Sequence, residues 1–183
     1  QTLDGAPLFR RVLAGFASMP EAVRAAHAPD PAAELEGEVD IEGAQSWGAR
    51  VVAWFYGFPR AGERQAASVT IEREGDGEIW IRRFGDAVFS SQLSSGGGTD
   101  RLIERFGPIE FDLEAHAGAH GFEMSVGGAR IFDIPLPHAL APRTRAQASS
   151  DEQGRYRFDV DITLPVLGRL VRYRGWLAAV KTL

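Results

Sequence analysis

Glu78-Ile79-Trp80-Ile81-Arg82-Arg83-Phe84 is the stretch on which the reading of this chain turns, and Leu102-Ile103-Glu104-Arg105-Phe106-Gly107-Pro108 answers it one hairpin later. At a period of two residues, the first places Trp80, Arg82 and Phe84 on one face of a strand. The second places Leu102, Glu104 and Phe106 on one face of another. In each, a charged residue sits between large apolar ones, and the two charges are opposite. A strand facing a core tolerates a charge when a partner of opposite sign and hydrogen bonds compensate its lost hydration. The pattern predicts an antiparallel β protein in which Arg82 and Glu104 form a buried pair.

The alternation extends outward from this pair. Residues 68–74 and 78–84 read as a hairpin across Gly75-Asp76-Gly77, whose glycines accept positive φ. Residues 87–93 continue the meander as far as the flexible Ser94-Ser95-Gly96-Gly97-Gly98-Thr99. Upstream, Leu35, Gly37, Val39 and Ile41 alternate with Glu34, Glu36, Glu38 and Asp40, predicting a half-buried strand with an acidic outer face. Residues 49–58 are apolar on both faces and read as a central strand, closed by the turn Pro59-Arg60-Ala61-Gly62. Downstream, strands are predicted over 101–106 and 110–114, interrupted at Gly107-Pro108. Phe122, Met124 and Val126 alternate again, and Gly127-Gly128 is predicted to turn the chain into 129–134. An irregular segment follows to Pro142, then a long hairpin of 143–149 with 155–163. In its second arm Tyr156, Phe158, Val160 and Ile162 share a face, with Asp159 and Asp161 opposite.

Residues 171–180 read as a closing strand, because Tyr173, Gly175 and Leu177 alternate and Gly175 weakens a helix. The helical spacing of Leu167, Leu170, Val171 and Arg174 leaves a C-terminal helix gripped by a curved sheet as the alternative. Only residues 7–27 read as clearly helical. Leu8, Val12, Leu13 and Phe16 recur at helical spacing, Pro20 breaks the pattern, and 21–27 form a second short helix. His27, beside Ala28-Pro29-Asp30-Pro31, reads as a capping or packing residue.

About nine or ten strands after a helical N-terminus predict a mainly β (α+β) fold, spaced as in a sandwich or barrel. The expectation is an antiparallel, lipocalin-like β-barrel with one or two N-terminal helices, in a single domain over residues 1–183. Strands and helices do not alternate, which excludes a Rossmann sheet. The length of 183 residues suffices to bury a core without disulfides or metals. The absence of cysteine removes disulfides, thiolate catalysis and cysteine-ligated zinc. A net charge of −5 argues against a nucleic-acid surface, and Lys181 is the only lysine. No apolar run approaches the roughly 20 residues of a membrane span. No basic segment leads into an apolar one at the start, so no signal peptide is expected and the predicted location is cytoplasmic.

Several groups taken in order resemble one family: Trp80-x-Arg82-x-Phe84, Phe89-Ser90-Ser91, Glu104-Arg105-Phe106-Gly107-Pro108, and Leu136-Pro137 with Leu140-Ala141-Pro142. Phe158-Asp159-Val160, leading to Pro165-Val166-Leu167-Gly168 and Tyr173-x-Gly175-x-Leu177, completes the set. Together they resemble the bacterial domain-of-unknown-function family 4166, from about Leu8 to Leu177. Members of that family often follow a saccharopine-dehydrogenase-like Rossmann domain, so the resemblance implies a Rossmann oxidoreductase partner. The family has no settled activity, and the resemblance transfers no catalytic residue.

Five residues are the expected ligand-binding set: Trp80, Arg82, Glu104, His138 and Tyr173. Arg82 and Glu104 suit either a structural ion pair that fixes register or a pair that orients a ligand carboxylate or moves a proton. His138, in the irregular loop after Pro137, is expected at a barrel mouth as a ligand-facing titratable group. Glu114-x-His116-x-x-x-His120 places two imidazoles on one face without the His-Glu-x-x-His order, and Ala117-Gly118-Ala119 reads as a turn. It is expected to be an exposed hairpin end, and no metal is assigned. Ser90, Ser91, Ser94 and Ser95 lie in no Gly-x-Ser-x-Gly elbow, and Gly96-Gly97-Gly98 lacks a phosphate-loop ending, so no cofactor is expected.

Four tryptophans and eleven phenylalanines either line a cavity or fill a core. The first functional expectation is a binding module for a small apolar or amphipathic molecule. The second is an enzyme or an auxiliary domain of a Rossmann-type oxidoreductase. The third is a structural or interaction domain with a filled interior.

Overall fold

The computed structural model describes residues 5–180. The chain begins with α1 (Leu8–Val12), a 3-10 turn (Phe16–Ser18) and α2 (Glu21–Ala26), then β1 (Ala32–Glu42) and α3 (Trp47–Phe55). A meander follows: β2 (Gly62–Glu74), β3 (Gly77–Phe84), β4 (Ala87–Ser95), β5 (Arg101–Phe106), β6 (Ile109–Gly118) and β7 (Gly121–Ile131). The chain closes with β8 (Ile134–Pro135), β9 (Arg143–Ser150), β10 (Tyr156–Leu164) and β11 (Gly168–Ala179). No helix among the described residues is long and apolar enough to cross a membrane.

The strands run β6-β5-β4-β3-β2-β1-β11-β10-β9-β7, and a β6–β7 pairing closes the ring. The result is a closed antiparallel barrel, mainly β and lipocalin-like in architecture. The two-residue β8 hangs from the end of β7. Alternation sets the wall's two faces. In β1, Leu35, Val39 and Ile41 are buried while Glu34, Glu36 and Glu38 are exposed. Outside, Arg169 pairs with Glu42 and Asp161, and Arg172 pairs with Asp159.

The first and last strands meet at a seam where the backbones come close. A Cβ at Gly37 would lie 1.9 Å from the Trp176 carbonyl oxygen, and one at Gly175 would lie 2.0 Å from that of Glu38. Only glycine fits there. Gly175 therefore marks strand contact, and the C-terminal segment is β11 rather than a helix.

One end of the barrel is closed by α1, the 3-10 turn and α2. Leu8, Phe9, Val12, Phe16, Met19 and Val23 join the barrel's own buried residues in one core. Polar bonds fix this plug. The Leu8 N–H, free at the start of α1, donates to Glu78 Oε1 at 3.1 Å, and Trp80 Nε1–H donates to Glu78 Oε2 at 3.0 Å. The Ala14 N–H donates to Asp100 Oδ1 at 2.8 Å, and the Asp100 N–H donates to the Val12 carbonyl. Burial raises the Glu78 pKa, against the pull of its two hydrogen bonds.

Two expectations are corrected here. Residues 49–58 are not a central strand, because α3 occupies most of that run. An apolar run without alternation cannot tell strand from helix. Here Ser46 decides it: its Oγ accepts the Ala49 N–H at 3.1 Å as a helix cap and donates to the Leu167 carbonyl at 2.7 Å. Gly127-Gly128 does not turn the chain either. β7 runs straight through, and the register steps from Asp112↔Gly128 to Leu113↔Val126, leaving Gly127 as the extra residue of a bulge.

Opposite the plug, the wall comes apart. β4 pairs with β5 only from Gln92↔Arg105 to Ser95↔Leu102, so 87–91 have no partner on that side. β7 pairs with β9 only from Gly121↔Ser149 to Ser125↔Arg145. A leaf made of β5, β6 and the second half of β7 is thus bonded to itself but loses both neighbours toward this end. α3, inserted between β1 and β2, lies at the same end.

Candidate functional site

Inside the barrel lies a cavity of about 610 Å³. It is lined on every side by inward positions of the wall: Val69 and Ile71 of β2, Phe84 of β3, Phe111 of β6, Met124 of β7 and Phe158 of β10. Ala26 and His27 border it toward the plug, while Val52, Phe55, Tyr56 and Phe58 border it at the open end. Val88 and Ser90, on the outer face of β4, also reach it, because the ladder beside them is missing.

The polar groups in this apolar space are few and concentrated. Arg82 donates to Ser91 Oγ at 2.8 Å and to Glu104 Oε1 at 3.1 Å, and Ser91 donates to the same Glu104 oxygen at 2.7 Å. The ion pair is largely buried, with 10% of the arginine and 15% of the glutamate side chain accessible. Around the guanidinium stand Trp80 at 5.0 Å, Phe89 at 5.7 Å and Phe106 at 5.9 Å. Desolvation makes such cation–π contacts stronger than at an exposed surface. The cluster links β3 and β4 to β5 close to where the β4–β5 ladder stops. It leaves the second oxygen of Glu104 without a partner among the described residues.

Tyr173 lies beside this cluster, packed on Phe84 with ring centroids 5.2 Å apart. Burial pushes its hydroxyl pKa up to about 12; Arg82 pulls it down and Glu104 pushes it up. Toward the plug, His27 is buried among Phe9, Trp80, Phe122 and Tyr156, the nearest ring centroid 4.3 Å away. One ring nitrogen, Nε2, is 3.2 Å from the Tyr156 hydroxyl; the other, Nδ1, is buried without a partner among the described residues. Burial, with the Arg82 charge second, pulls this imidazole down to a pKa of about 3, so it stands neutral. Burial pushes the Tyr156 pKa up.

The structure brings together four of the five residues singled out in the sequence: Trp80, Arg82, Glu104 and Tyr173 all line the cavity. His138 does not. It is exposed in the loop after β8, where the Leu140 N–H donates to the Pro137 carbonyl, and is absent from the lining. His27, read from the sequence as a packing residue, does pack, and it also borders the cavity. Its helix-end position gave no sign of the aromatic cage that other elements build around it. His116 and His120 are exposed at the β6–β7 hairpin end. Among the described residues, no group of three or more His, Asp or Glu is placed to hold a metal.

The arrangement offers an apolar chamber with one charged, hydrogen-bonding cluster on its wall and a neutral imidazole–phenol pair toward its closed end. Comparison with protein-family models matches residues 19–177 to a family described as a domain of unknown function, DUF4166. No curated protein and no solved structure matches the chain.

Proposed function

Because the chain belongs to the DUF4166 family, whose description states no activity, we propose from its own interior that it binds one small apolar or amphipathic molecule inside the barrel. The observation that carries this reading is the cavity of about 610 Å³. Protein interiors are normally close-packed, with few voids larger than a water molecule. Ligand sites are concave and mostly apolar, with a small number of polar groups that fix orientation and volumes of roughly 300–1,000 Å³. The interior matches on each count. The apolar body of the ligand lies against Phe84, Phe111, Phe158 and Val160. Its polar group meets Glu104, Arg82 and Tyr173.

The test has two parts. Native mass spectrometry of protein purified without added ligand, followed by denaturation, identifies any molecule carried in the cavity. Titration with the fluorescent apolar anion 8-anilino-1-naphthalenesulfonate then compares the native protein with Ala146→Trp, which fills the chamber from β9. The native protein is expected to bind the probe with one site. The variant is expected to bind at least about tenfold more weakly while still unfolding cooperatively. Equal binding by both proteins, or none by the native one, would overturn the proposal.

A further inference from the structure

The large apolar side chains left in solvent are not scattered. Among the described residues, Val180 apart, they sit at the open end, on five separate segments of chain. On α3, Trp47, Val51, Trp54 and Phe55 follow one another at helical spacing, and three of them are 77, 78 and 72% exposed. A short helix that turns such a stripe outward gains nothing from it in folding. Phe132 and Ile134 at the β7–β8 turn, Leu140 in the loop before β9 and Val166 in the β10–β11 turn stand at the same end. Two of these turns hold bulky residues in left-handed backbone, Phe132 at φ 48 and Val166 at φ 70, and Val166 is wholly exposed. Such conformations cost of order 1 kcal/mol or more, and a β-branched residue there is a true outlier.

Charge is distributed unevenly as well. Arg50, Arg60, Arg64, Arg83 and Arg143 are exposed at or near the open end and form no salt bridge among the described residues, against exposed Glu63, Asp86 and Asp133. The plugged end is acidic, with exposed Glu34, Glu72, Glu74, Asp76 and Glu152 against exposed Arg10 and Arg101. A chain of net charge −5 therefore presents a basic rim around the cavity opening.

We propose that this open end is a docking surface for an anionic lipid bilayer, with α3 lying in the headgroup region and the cavity facing the acyl chains. Tryptophan and phenylalanine favour that interface, and arginines among them pair with lipid phosphates. The rim consists of separate tips around an apolar opening, a shape suited to a fluid surface. The barrel wall is not the contact: its outside is charged and its inside apolar, the reverse of a barrel that spans lipid. The proposal stands on the surface alone and does not depend on what the cavity holds.

Vesicle flotation tests it, using phosphatidylcholine alone and phosphatidylcholine with about one-third phosphatidylglycerol, the latter mimicking an anionic leaflet. The native protein is expected to float with the anionic vesicles and to be released by salt. Trp47 and Trp54 fluorescence is expected to be quenched by brominated acyl chains. Trp47→Ser/Trp54→Ser/Phe55→Ser should weaken partitioning by about a hundredfold or more and leave thermal unfolding unchanged. Arg50→Glu/Arg60→Glu should weaken binding to anionic vesicles selectively. Ala146→Trp, with its chamber filled, should float like the native protein, so failure of the ligand reading and failure of this one are told apart. No flotation, or flotation unchanged in the triple variant, would overturn the proposal. So would a concentration-dependent dimer that the triple variant abolishes, which would assign the rim to a second copy of the chain.

Discussion

His27 carries a proton in the unfolded chain below about pH 6.5 and refuses it in the barrel. Burial among four rings holds its folded pKa near 3. The folded value is the lower one, so the unfolded state binds more protons as the medium is acidified. The stability His27 contributes is fully present above pH 6.5 and is lost progressively as pH falls from 6.5 towards 3. The slope is at most about 1.4 kcal/mol per pH unit. Of the groups that face it, Tyr156 has a raised pKa and Arg82 is a guanidinium, so neither titrates in that window. Urea unfolding of the native protein and of His27→Gln between pH 7 and pH 5 isolates this contribution by difference, because Glu78, whose pKa burial raises, and the carboxylates held low by arginines, Asp159 by Arg172 among them, are common to both proteins. The variant is expected to show the flatter profile; parallel profiles would mean that the imidazole is not desolvated.

At the scale of elements, the Arg82–Glu104 pair matters because of where it sits. It reaches from β3 across β4 to β5 near the last rungs of a short ladder. Removing one partner leaves a largely buried charge uncompensated, so Arg82→Met and Glu104→Gln should each cost about 3 kcal/mol or more. The double variant should cost less than their sum by about 1–2 kcal/mol. Simple additivity in denaturant unfolding would show that the two groups do not act together. This pair was legible in the sequence, as were most strands, because a wall with one apolar face writes its period directly into the chain. Trp80 and Tyr173 could be placed on inner faces for the same reason. α3 was not legible by period, since its outward side is as apolar as its inward side; Ser46 was the usable signal. The Gly127 bulge was not legible, because two adjacent glycines mark a turn as readily as a bulge. His138 failed as a cavity residue because a loop's direction is set by tertiary packing, which no local period records.

Across the whole molecule, stability should be graded from the plugged end to the open one. The β1–β11 seam is paired along eight residues and tied to the core, whereas the β5–β6–β7 leaf loses both neighbours towards the mouth. Amide hydrogen exchange is expected to be slowest around Gly37, Val39, Gly175 and Leu177. Around Phe106, Ile109 and Ile131 it should be faster by at least about a hundredfold, a local opening cheaper by roughly 3 kcal/mol. Uniform protection along the barrel would contradict the splayed leaf. The seam has one more consequence. Since β1 and β11 are neighbours and α1 sits in the plug, Gly5 and Val180 both emerge on the side away from the rim. A tether attached at either point, whether a purification tag, a fluorescent fusion or the linkage to a sensor chip, holds the barrel with its mouth turned to the solution. The open face can then be presented to vesicles or small molecules without the attachment standing in the way.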